Sequence, residues 1–236
     1  MKSLNIFLVL SFFFFTLSTL EALKAAEERF NLTPPGDSNP NQIKFTLGYS
    51  LGTHVGKVYA GTGFVTLEAG QLETLRGEFH IPIAAIRTGN DATRDCHLRE
   101  SLGLNYQLAD YPARHICDSN DMLPETGGAS IKYPWIHFTI DKSVLLSSES
   151  DFATTRKAQI RIFGTWEMHG QKFSSDYPFS VEFSQDGSSF TTKGDLVLNF
   201  DDFGIQVKPV RVFGFSLSVD EMIKLKLNLL MKKVGN

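Results

Sequence analysis

From Ile43 onward, apolar and polar positions exchange at almost every step. Ile43, Phe45, Leu47, Tyr49 and Leu51 alternate with Lys44, Thr46, Gly48, Ser50 and Gly52. Successive strand side chains point to opposite faces, so a period of two marks a strand with one buried face. The period returns at Leu75, Phe79, Ile81 and Ile83, and again at Ile136, Phe138 and Ile140. It recurs at Ile160, Ile162, Trp166 and Met168, at Phe179, Val181 and Phe183, and at Leu196, Leu198 and Phe200. The last run is the longest, from Phe213, Phe215, Leu217 and Val219 through Ile223, Leu225, Leu227 and Leu229, set against Lys224, Lys226 and Asn228. Turn formers separate the runs, and His169-Gly170 between two strong ones is a hairpin signal. One stretch, Asn90 to Ser101, lacks alternation and suits a short helix capped by Asn90 or Asp91.

This pattern predicts an all-β fold, an eight-stranded antiparallel barrel with one short helix near residues 91–101. Strands of an α/β sheet would read as continuous apolar runs instead, and closure disposes of edge strands. A barrel of this size is filled by its own side chains or holds one slim ligand. The alternation alone leaves both open. The inward set reads as Phe45, Leu47, Tyr49, Phe64, Phe79, Phe138, Ile162, Trp166, Phe179, Phe183, Leu198 and Phe215. It carries no charge, so a ligand held there has an apolar body, because an ionised group would be unpaired.

Composition, charge and candidate chemistry add to this. The chain has 20 Phe against 2 Trp and 6 Tyr, and a net charge of −3 with no basic block, which argues against a nucleic-acid partner. Lys2, an apolar run from Leu4 to Leu20 and small residues at Ala22, Ala25 and Ala26 have the layout of a secretory signal peptide, so residues 1–25 read as a cleaved leader to the periplasm or the medium. Residues 26–41, rich in turn formers from Asn31 to Asn41, read as a flexible leader, and residues 42–236 as one barrel domain. In an exported chain, Cys96 and Cys117 form a structural disulfide, stay as free thiols, or act as a redox pair. None of the six His has the tight spacing of a metal site. An activated nucleophile or a paired acid and base is also missing, so neither a metal nor a catalytic residue is expected.

Several segments carry a family resemblance. They are Ile86-Arg87-Thr88-Gly89-Asn90 followed by Arg94-Asp95-Cys96-His97-Leu98-Arg99, then Tyr111-Pro112, the hairpin from Gly164 to Gly170, and Asp202-Phe203-Gly204-Ile205. Taken together the chain resembles the YceI-like family, the polyisoprenoid-binding, lipocalin-like secreted proteins, from about Ile43 to the C-terminus. It departs from that pattern at Tyr49-Ser50-Leu51-Gly52-Thr53-His54, at Cys96, and in a longer Cys117–Gly128 segment. The resemblance implies an elongated apolar tunnel holding an isoprenoid chain, such as a quinone tail or a polyprenyl carrier. It implies no cofactor beyond that lipid, only transient membrane contact, and homodimers among relatives. Arg99 is a candidate contact for the lipid head group; alternatively Arg94, Asp95 and Arg99 satisfy peptide groups of the helix and its loop. The expected function is an exported lipid-binding protein that sequesters or carries an amphiphile with an isoprenoid tail. The competing expectation is a non-enzymatic structural or interaction barrel filled by its own side chains.

Overall fold

The structure, a computed structural model, describes residues 26–35, 42–89, 91–212 and 215–235. The proposed signal peptide at residues 1–25 lies outside the described residues. The elements in order are β1 (Glu27–Leu32), β2 (Ile43–Tyr49), β3 (Gly52–Val58), β4 (Thr62–Glu68), β5 (Gln71–Pro82), β6 (Ile86–Arg87), α1 (Ala92–Gly103), α2 (Tyr106–Ala109) and β7 (Trp135–Leu145). There follow α3 (Glu149–Thr155), β8 (Lys157–Met168), β9 (Gln171–Phe183), β10 (Ser189–Asn199), a small ribbon of β11 (Val210–Val212) and β12 (Phe215–Leu217), and β13 (Val219–Lys233). Among the described residues, no helix is long and apolar enough to cross a membrane.

Eight antiparallel strands close into a barrel in the order β1-β4-β5-β7-β8-β9-β10-β13, with β13 returning to β1. The β8–β9 hairpin turns on His169 and Gly170, both with positive φ (52° and 75°), the primed turn whose twist suits flanking strands. β13 is the closing stave. One of its edges pairs with β10 along eleven rungs. Its other edge is shared: β2 pairs with residues Val219 to Leu227, and β1 with Met231 to Lys233. β1 and β2 are therefore two segments of a single interrupted stave, and β3 and β4 continue the next stave in the same way.

The interruption leaves backbone groups of β13 to be satisfied, and Gln42 satisfies them. Its side chain is 1% exposed. Nε2 donates to the Thr33 carbonyl at 2.6 Å, and Oε1 accepts from the Leu230 amide at 2.8 Å. The Gln42 carbonyl accepts from Asn228 at 2.7 Å, and the Thr33 amide donates to Leu230 at 2.8 Å. A side-chain amide thus stands in for a peptide group where the strand is broken, because a buried backbone donor or acceptor must find a partner.

This corrects the domain boundary read from the sequence. Residues 26–41 are not a leader throughout, since Glu27–Leu32 is a wall of the barrel, with Phe30 fully buried and Leu32 nearly so. The alternation there spans only six residues and is followed by Pro34-Pro35, so turn chemistry hid a short strand.

The two barrel ends differ. At one, Phe30, Phe183 and Phe190 from three strands meet edge-on or tilted at 4.9–5.9 Å, and Phe152 of α3 packs on Phe183 at 5.7 Å. At the other, α1 lies across the opening. The geometry at Gln42 has a direct consequence. Gln42→Met keeps the volume but leaves the Leu230 amide and Thr33 carbonyl unpaired, and should cost about 2–4 kcal/mol in denaturant unfolding. An unchanged midpoint would show that the closure does not depend on this side chain.

Candidate ligand cavity

Inside the barrel lies a cavity of about 110 Å³. β13 contributes every second residue from Ile223 to Met231, the face opposite Lys224 and Lys226. Leu98 and Leu102, one helical turn apart on α1, cover the top, and Phe190 lines the bottom. Only three lining residues, Thr62, Trp166 and Thr192, carry a polar side-chain atom, and none is ionisable. Such a space can hold an apolar chain and gives no counter-charge to an ion.

The bore is kept open by a repeated pairing of Phe with Gly. A Cβ added at Gly56 would run into the ring of Phe45 on β2, one at Gly63 into Phe79 on β5, one at Gly164 into Phe138 on β7, and one at Gly194 into Phe179 on β9. Each of these rings lies over a glycine of the adjacent strand. The glycine gives the ring room against the wall, so four large inward side chains line the cavity instead of filling it. The sequence reading missed these glycines, although an isolated Gly inside a strand pattern is itself a signal of close approach.

The structure sorts the inward set. Phe45, Phe79, Phe138, Ile162, Trp166, Phe179 and Leu198 line the cavity. Four others do not. Leu47 is buried on the rung opposite His54, and Tyr49, at the end of β2, stacks on the His54 ring at 4.4 Å. Phe183 belongs to the aromatic cluster that closes the bottom. Phe64 points outward under the Arg29 guanidinium, 3.5 Å from its ring centroid. The reason is phase: Val65 and Leu67 hold the inward positions of β4, and Phe64 shares the parity of Thr66 and Glu68. The side chain of Phe215 lies outside the described residues.

The cover over the top is assembled from local polar contacts. Asp91 caps α1 by accepting from the Arg94 amide at 3.0 Å, and the Arg94 side chain returns to Asp91 at 2.9 Å. Asp95, nearly buried, accepts from the amide and hydroxyl of Thr88 at 2.6 and 2.8 Å, tying the helix to the Thr88-Gly89 turn. Glu100 is fully buried. Its carboxylate accepts from the amides of Ile116 and Cys117 and lies 2.7 Å from His115 Nδ1. A Cys96–Cys117 disulfide, 21 residues apart in sequence, binds the same segment to the helix. Closing a loop of that size typically stabilises a fold by about 3 kcal/mol.

Arg99 does not reach the cavity. With Leu98 and Leu102 facing down, its position on the helix turns it toward the segment holding Met122, Leu123, Pro124, Glu125 and Ile131, where its Nε is buried. The head-group role read for it from sequence finds no support in this placement. His97 stacks on His115 at 3.7 Å. Burial and the neighbouring His115 hold its pKa below the ordinary histidine value, against the pull of Glu100 and Asp121. His97, Glu100 and Cys117 bring potential metal-ligand atoms within 4.8 Å of one another. However, the sulfur is committed to the disulfide and the carboxylate oxygens to N–H donors, so this set serves the cover.

Neither a protein-family model nor a curated protein matches the chain by sequence. Solved structures do match it in fold. BcnA of Burkholderia cenocepacia aligns with a TM-score of 0.52 at 12% identity, over 80% of this chain and 95% of that one. A polyisoprenoid binding domain from Saccharophagus degradans, implicated in plant cell wall breakdown, aligns at 0.53 and 11% identity, over 89% and 100%. A YCEI protein of Campylobacter jejuni aligns at 0.47 and 15% identity, over 77% and 85%. At such identities the likeness is one of fold, and at that level the YceI-like resemblance read from the sequence holds.

Of the four glycines, Gly194 meets only the Phe179 ring, with no backbone in the way. Gly194→Ala should therefore cost about 1–3 kcal/mol through overpacking, and Phe179→Leu in the same background should recover most of it. Equal stability of Gly194→Ala and the parent would contradict the pairing.

Proposed function

We propose that this chain is an exported binding protein that sequesters or carries a neutral amphiphile with an isoprenoid tail in its barrel. The observation that carries the reading is the cavity itself: a closed barrel whose interior is held open and whose lining has no ionisable group. A barrel filled by its own side chains would leave no such space. The fold shared with a polyisoprenoid binding domain supports an isoprenoid as the tail. The basic and apolar N-terminal segment supports export, and the Cys96–Cys117 bridge suits an oxidising compartment such as the periplasm. Contact with the membrane need last only as long as loading or delivery. We read the protein as a carrier and not an enzyme, because the cavity presents no nucleophile or acid–base pair to a bound chain.

Affinity in such a site comes from apolar area, near 0.8 kcal/mol for each buried CH₂. In a titration series of geraniol, farnesol and geranylgeraniol, affinity should rise by about tenfold or more with each added isoprene unit until the cavity is full. Exchanging the alcohol for another neutral head should matter far less. Affinity that followed the head group and ignored chain length would overturn the proposal, as would failure of all three to bind.

A further inference from the structure

Two histidines on the outside of the wall meet ring to ring. His80 of β5 and His137 of β7 are cross-strand partners, 57 residues apart in sequence. The rungs on either side, Phe79–Phe138 and Ile81–Ile136, point into the cavity, so alternation turns the His–His rung outward. The two Nδ1 atoms lie 2.5 Å apart, with the rings nearly perpendicular at 78°. Glu78, two residues before His80 on the same face, places Oε1 3.3 Å from His80 Nε2. That carboxylate favours the tautomer with the proton on Nε2, so His80 Nδ1 presents a lone pair and His137 Nδ1–H donates to it. The pair is open to water: the His80 side chain is 32% exposed and His137 is half-buried. Along the same row, Glu167 of β8 stands opposite His137.

We infer that this rung is a surface site for a divalent transition-metal ion, Cu²⁺ above all, with His80 and His137 as its imidazole ligands and Glu78 orienting His80. The site is separate from the cavity and does not rest on the reading of it. Histidine is the commonest metal ligand, and a ligating histidine characteristically holds its other ring nitrogen on a carboxylate, the relation of His80 to Glu78. Two nitrogens each ~2.0 Å from one ion and at right angles stand about 2.8 Å apart. From 2.5 Å the rings need part by only about 0.3 Å, within reach of the soft terminal torsion of each side chain. The His137 proton moves from Nδ1 to Nε2 as the ion enters, so both imidazoles stay neutral and both Nδ1 lone pairs are given to the metal. The β5–β7 ladder continues on both sides of the pair, so the backbone beneath it is already fixed. Cu²⁺ heads the affinity order at nitrogen ligands and accepts right-angled pairs, with water free to fill its remaining positions. Spacing along the chain gives no sign of this site, because strand register builds it.

The test titrates the full chain, purified without a metal-binding tag, with Cu²⁺ in a non-chelating buffer. Trp135, 46% exposed and 6.5 Å ring to ring from His137, reports the ion by fluorescence quenching. Quenching should saturate at one equivalent, and electron paramagnetic resonance of the complex should show two coordinated nitrogens. Glu78→Ala should weaken binding about tenfold, and His80→Gln or His137→Gln by more. His54→Gln, which removes a histidine from another strand, should leave the affinity unchanged. Quenching that never saturates, a resonance without two nitrogens, or an affinity that survives either His80→Gln or His137→Gln would overturn the inference. The resonance is read on the parent chain, so it decides the matter even where a substituted chain fails to fold.

Discussion

The interior of this barrel depends on where four phenylalanine rings can lie. Phe is the commonest aromatic residue lining the cavity, and rings of that size, free to point to the axis, would close a bore of eight strands. Gly56, Gly63, Gly164 and Gly194 prevent it by removing the atom that would hold each ring off the neighbouring strand. The same arrangement covers exposed backbone at each glycine with an apolar plate. The cavity is therefore an outcome of cross-strand pairing and not a packing defect. It also explains why a chain so rich in Phe need not have a solid core.

Closure gives this interior its low polarity. Every strand of the ring has two hydrogen-bonded neighbours, so backbone groups are consumed in the wall and only side chains face inward. The break between β1 and β2 is the weak point of that scheme, and Gln42 repairs it with the hydrogen-bonding pattern of a peptide. The polar devices of α1 are kept outside the cavity. Asp95 and Glu100 turn to the Thr88 turn and to the segment at Ile116 and Cys117, while Leu98 and Leu102 of the same helix face the interior. Separation of this kind means that a bound chain meets hydrocarbon along its length, with Trp166 and the two threonines as the polar exceptions.

Much of the wall was legible from alternation, because burial of one face imposes a period of two wherever a strand is long. The run of Ile223, Leu225, Leu227 and Leu229 against Lys224 and Lys226 identifies β13 directly. Short strands carried less signal: β1 has only Phe30 and Leu32 to show, beside a Pro-rich segment. Phe64 departs from the expected inward set because its neighbours Val65 and Leu67 hold the inward phase of β4. Arg99 shows a related limit: a place on the covering helix does not by itself say which residues face the cavity, and Leu98 and Leu102 are the ones that do. Gln42 and the glycines opposite the Phe rings owe their roles to segments distant in sequence, and a single chain read in one dimension does not show which strands will be neighbours.

The account turns on the cavity being occupied by a neutral, largely apolar molecule in the working protein. The direct measurement is organic extraction and mass spectrometry of the full chain, expressed in a host that exports it and purified without detergent. The account predicts a near-stoichiometric neutral amphiphile whose tail has about ten carbons or more, enough for area alone to hold it. A clean extract from fresh protein, or a stoichiometric charged molecule without such a tail, would contradict it.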